Sequence, residues 1–133
     1  MTDTKAQAER NREHCKYIAE CLDIIADGRA YKAPDTGEIV YLDEGEEAPE
    51  DYEQADMLDY FGDVCDVRYI VGQDRELRGL QLLVAFGGPN IWVDTMSESV
   101  SLFWWGDNAS YPLGSEAIRE IESMGEELWE MEA

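Results

Sequence analysis

Basic residues are scarce: the 133-residue chain holds 10 Lys and Arg against 31 Asp and Glu, a formal net charge of −21. A surface this negative repels nucleic acid and anionic membranes, so direct binding of DNA or RNA is excluded and basic partners are favoured. Histidine is scarcer still. The single His14 leaves no imidazole cluster for zinc, and no Ser/His/Asp or Cys/His arrangement can be built around it. The three cysteines, Cys15, Cys21 and Cys65, form an odd, unpatterned set of the kind kept reduced in a cytosol, and they read as small apolar residues in partial burial. No apolar run approaches the ~18 residues of a membrane span, the longest, 80–86, fitting one strand. Residues 1–7 are polar, without the apolar stretch of a secretory signal, so a cytoplasmic location is expected. There is no Asp-x-Asp-x-Asp-Gly loop for calcium, and Gly87-Gly88 is followed by neither Lys-Ser/Thr nor any basic residue. Neither a metal nor a cofactor is expected.

What is present suffices for a core. Hydrophobic residues make up 44% of the chain and include four Trp, seven Tyr and three Phe, which excludes wholesale disorder. The length fits one domain spanning residues 1–133. The charge is patterned. Residues 1–32 balance six acids with six bases, whereas 33–67 hold thirteen acids and no base. Residues 68–115 carry a net −2, and 116–133 set seven acids against Arg119 alone. Two blocks therefore supply nearly all of the excess.

Hydrophobic spacing predicts an amphipathic helix over 4–27, with Cys15, Ile18, Cys21, Leu22 and Ile25 on its apolar side and Gly28 as its stop. Pro34 and Gly37 then suggest a short hairpin joining 29–32 to 38–42. Residues 43–50 can pack nothing and read as an exposed loop. A helix is predicted over 49–61, with Pro49 in its first turn, Tyr52, Ala55, Leu58 and Phe61 as its apolar stripe, and Gly62 after it. From Val64 the period becomes two. Strands are expected over 67–71, 77–86, 91–95, 99–105 and 109–113, the second of them central, with Leu80, Leu82, Val84 and Phe86 sharing a face. Ser115 is placed as the cap of a last helix that buries Ile118, Ile121, Leu128 and Trp129. The fold class is α+β: an antiparallel sheet of about four to six strands flanked by N- and C-terminal helices, with an acidic loop-helix insert at 43–63.

The acids carry the candidate function. Exposed surfaces normally mix both signs, and a one-sign block has a repulsive cost of a few tenths of a kcal/mol per close helical pair, which a basic partner relieves. In the first block the candidates are Asp51, Glu53, Asp56, Asp59 and Asp63. In the last helix Glu122, Glu126 and Glu130 recur every four residues, hence ~6 Å apart along one stripe. That spacing is on the length scale of charge along a nucleic-acid backbone. Of Trp104 and Trp105, adjacent on a strand, one should be core and the other exposed; Trp105 joins the candidates as an aromatic anchor beside carboxylates. Catalysis has little to build on: Asp94 and Asp107, if close on neighbouring strand ends, would be the one acid/base pair.

With its size, its two acid blocks, the string Gly87-Gly88-Pro89-Asn90-Ile91-Trp92-Val93-Asp94-Thr95 and Tyr111-Pro112-Leu113 before the last helix, the chain resembles the small acidic inhibitors that phages and mobile elements direct at host defence nucleases. These are anti-CRISPR and anti-restriction proteins of the DNA-mimic kind. The resemblance implies a non-enzymatic protein in the host bacterial cytosol that fills the basic nucleic-acid channel of a CRISPR effector or restriction enzyme with carboxylates in place of phosphates. The class shares no motif, so it transfers no site residues. The alternatives are an immunity protein or antitoxin against a basic nuclease toxin and, from a different class, a small carboxylate-dependent enzyme. The chain is expected to be a monomer or dimer, any dimer pairing through the neutral first helix or an apolar strand edge.

Overall fold

The computed structural model describes residues 2–132, with side chains over 5–131. Helix α1 (Thr2–Ala26) leads through a turn at Gly28 into β1 (Ala30–Lys32) and β2 (Ile39–Tyr41), the hairpin expected across Pro34 and Gly37. The acidic loop follows and ends in β3 (Glu53–Gln54), which pairs antiparallel with the other edge of β1. Helix α2 (Met57–Asp63) then precedes β4 (Asp66–Val71), β5 (Leu77–Ala85), β6 (Asn90–Asp94), β7 (Ser99–Trp104) and β8 (Asp107–Pro112). These five strands form an antiparallel meander in chain order, and α3 (Ser115–Glu132) closes the described chain. The architecture is α+β, with antiparallel sheets of three and five strands.

Alternation places Leu80 and Leu82 of β5, Ile91 and Val93 of β6, and Val100 and Leu102 of β7 in the interior, joined there by Cys15, Ile18, Leu22 and Ile25 of α1 and Ala117, Ile118 and Ile121 of α3. Both helices pack on the five-stranded sheet, α1 against β7 and β8 and α3 against β5. Cys15 and Cys21 are buried, whereas Cys65 is exposed. Thr95 ties the end of β6 to β5: its hydroxyl accepts the Leu80 N–H at 3.0 Å, and its own N–H donates to the Leu80 carbonyl.

Several expectations are corrected. The helix expected over 49–61 begins only at Met57, because Asp51 takes a left-handed φ of +74° and Glu53–Gln54 are drawn into the sheet beside β1. The later start changes the helix phase, so Met57, Tyr60 and Phe61 are buried and Leu58 is exposed. β5 is an interior strand, but β6 is the central one. Phe86 does not share the buried face of Leu80 and Leu82: the register shifts between Leu83 and Ala85, the strand ends there, and the ring projects into solvent. Ser115 is the first helical residue rather than the cap; the Gly114 carbonyl accepts the Ile118 N–H, which puts Gly114 in the cap position. Leu128 and Trp129 are half-buried, the Trp129 ring lying 5.3 Å from that of Tyr69.

Candidate functional site

Helix α3 carries its three glutamates as the spacing predicts. Glu122, Glu126 and Glu130 are all exposed, on the side away from Ala117 and Ile121. They form one wall of a groove of about 440 Å³ whose floor includes Leu77, Leu80 and Trp129. The facing wall is the β4–β5 hairpin, which brings Arg75 and Arg78 to the groove, Arg78 already paired with Asp74. The stripe therefore faces basic groups across the groove, a feature that nothing local to residues 116–132 announces. It follows from the hairpin turning beneath α3. The approach is close because Gly125 has no side chain: a Cβ there would overlap the Leu80 methyls.

The first block divides among three kinds of position. Asp51 and Glu53 are exposed, in a turn and on β3. Asp56 and Asp59 hold the start of α2 together: the Asp59 N–H donates to Asp56 Oδ1 at 3.0 Å, and the Asp56 N–H donates to Asp59 Oδ2 at 2.9 Å. Asp59 Oδ1 also accepts from Lys32 Nζ at 2.9 Å. The backbone amide of Asp56, then Lys32, hold the Asp59 carboxyl below the ordinary carboxylate range, and the bond to Asp59 pushes the Lys32 ammonium upward in turn. Asp56 and Asp59 thus also serve the fold, Asp56 while remaining exposed. Lys32, one residue outside the base-free block, stands opposite Glu53 in the strand register. Asp63 is exposed at the end of α2.

Helix α2 packs against α3, so the two acidic segments, far apart in sequence, are neighbours in the fold. Of the carboxylates in 33–67 and 116–131, only Asp59 and Asp66 take part in an ion pair among the described residues.

Trp105 is 86% exposed in the β7–β8 turn, its ring edge-on to Trp104 at 5.7 Å; Trp104 is half-buried against the core, and Trp105 is exposed because it lies in the turn and not by strand alternation. It does not stand beside the α3 carboxylates. The β7–β8 turn lies at the end of the sheet where β5 finishes and β6 begins, whereas the glutamate groove lies where β5 starts. Asp94 and Asp107 fall at opposite ends of the same sheet, so the acid/base pair allowed by the sequence does not form. Asp94 instead accepts from Gln81 Nε2 at 2.9 Å and from the Met96 and Ser97 N–H groups. Phe86 and Phe103, which the sequence pattern puts inside strands 77–86 and 99–105, are exposed at the end of the sheet where Trp105 lies.

Compared with known protein families, curated proteins and solved structures, the chain matches none.

Proposed function

We propose that this chain is a non-enzymatic inhibitor that occupies the basic nucleic-acid channel of a defence nuclease complex, a CRISPR effector or a restriction enzyme, by presenting carboxylates where phosphates would lie. The observation that supports it best is the packing of α2 against α3, which brings together two acidic segments whose carboxylates, Asp59 and Asp66 apart, have no ion pair among the described residues. Unneutralised like charges oppose folding, and a basic channel relieves that cost on binding. The contact residues are Asp51, Glu53 and Asp63 on one side and Glu122, Glu126 and Glu130 on the other. Asp56 and Asp59 act by holding α2 in place.

The test is competition between this protein and DNA for a candidate effector, measured at two salt concentrations. Inhibition weakens as salt rises, because it replaces an ionic contact. Reversing Glu122, Glu126 and Glu130 to Lys raises the inhibitory concentration by about tenfold or more, while Glu9→Lys on α1, in the charge-balanced segment 1–32, changes it little. Inhibition indifferent to both salt and reversal would falsify electrostatic mimicry.

A further inference from the structure

The groove between α3 and the β4–β5 hairpin holds ions of both signs that do not meet. Arg75, in the hairpin turn, and Glu122, Glu126 and Glu130, on α3, line the same space of about 440 Å³. None of the four belongs to an ion pair among the described residues. Arg78 shares the wall of Arg75 and is taken by Asp74. Between the walls lies an apolar floor, of which Leu77 and Trp129 are half-buried and so reachable from the groove. The Trp129 ring is braced by Tyr69, 5.3 Å between centroids, and α3 is seated on Leu80 through Gly125. The spacing of the walls is therefore set by packing and not by attraction between the charges.

We propose that this groove binds a small zwitterion with an apolar body, an amino acid or a short peptide with free termini. Its ammonium meets the glutamate wall, its carboxylate meets Arg75, and its side chain lies over Leu77 and Trp129. The volume falls within the ~300–1,000 Å³ of small-ligand sites, which commonly set a few polar groups around an apolar lining. An acidic stripe alone would take any cation, and the field of a chain of −21 would favour the most positive one. Arg75 changes that choice. A guanidinium is a planar donor matched to a carboxylate, so it gives a negative group a place on a chain that otherwise repels it. These contacts are exposed, so each charge contributes a small factor and binding is weak, with a dissociation constant on the order of 1 mM. Such binding does not rest on the inhibitor reading: no nuclease takes part in its test, and either can fail without the other.

The test is an NMR titration of the full chain with leucine, with dileucine, and with the N-acetylated and C-amidated forms of each. It follows the indole N–H of Trp129, assigned through Trp129→Phe. The expected result is a saturable shift with the free ligands. Binding of leucine as well as dileucine points to amino acids, and binding of dileucine alone to peptide termini. Acetylating the amine weakens binding about two- to fivefold, and so does amidating the carboxylate, although the amide is the more positive ligand. Arg75→Gln reverses the preference in favour of the amide, and Glu126→Gln reduces the effect of acetylation; both positions are exposed, so the fold is kept. An amide that binds wild type more tightly than the free ligand marks the groove as a surface for cations and overturns the proposal. A preference for the free carboxylate that survives Arg75→Gln overturns it too, as does the absence of any saturable shift.

Discussion

In the turn between β7 and β8, Trp105 and Gly106 both have positive φ, +51° and +84°, between the paired residues Trp104 and Asp107. Two such residues in a two-residue hairpin loop make a type I′ turn, for which Asn-Gly is the preferred pair. Tryptophan is therefore opposed by its own backbone here, and with its ring in solvent it gains little from packing. Trp105→Asn should raise stability by about 1 kcal/mol, read as a higher urea midpoint with an unchanged slope. A destabilised variant would mean that the ring's edge-on contact with Trp104 outweighs the backbone term. Asp59 presents the opposite case, a residue whose partners all favour its charge. A carboxyl held low in the folded chain stabilises it above the unfolded value of ~3.9, and that contribution disappears as pH falls through the folded value. Asp59→Asn should thus lower Tm by a few degrees at neutral pH, and the gap from wild type should close in acid, as pH falls below the ordinary carboxylate range. A gap that is constant with pH would assign the loss to packing instead of to charge.

Local pattern determined most of the elements. The meander is legible because period-two alternation and Gly, Pro and Asp turns punctuate residues 66–112, and α1 and α3 because their apolar residues recur at helical steps. Helix α2 is not legible in the same way. Its start depends on β3 joining β1, more than twenty residues earlier, and on the reciprocal bonds of Asp56 and Asp59, which fix the helix start at Met57, eight residues after Pro49. The glutamate stripe could be read because four-residue spacing is a property of one helix. Its arginine-bearing opposite wall and its distance from Trp105 could not, because both follow from how strands order themselves in a sheet. The close approach of α3 to β5 is another non-local feature. Alanine is favoured over glycine in a helix by about 1 kcal/mol, yet at position 125 its methyl would meet Leu80, a fully buried side chain with no space to retreat. Gly125→Ala should therefore destabilise the chain by about 1–3 kcal/mol despite the better propensity. A neutral or stabilising outcome in thermal unfolding would show that Leu80 repacks freely.

At the scale of the whole molecule, charge sets stability and association together. A formal −21 on 133 residues repels itself when folded, and the five ion pairs among the described residues engage only a small part of the acids. Screening acts on exposed charges over about 10 Å at 0.1 M salt, a distance comparable to that between adjacent elements. Raising NaCl from about 20 mM to about 300 mM should therefore raise Tm progressively. Most surface ion pairs would give the reverse, because salt weakens attraction as much as repulsion. The measurement belongs at low micromolar protein, because self-association would raise Tm by mass action alone. Reversing Glu122, Glu126 and Glu130 to Lys reduces the excess and should flatten the salt dependence, even though Arg75 and Arg78 then face like charge across the groove. A wild-type Tm indifferent to salt would mean that the acidic segments do not strain the fold, and the relief of that strain by a basic partner would then contribute nothing to binding.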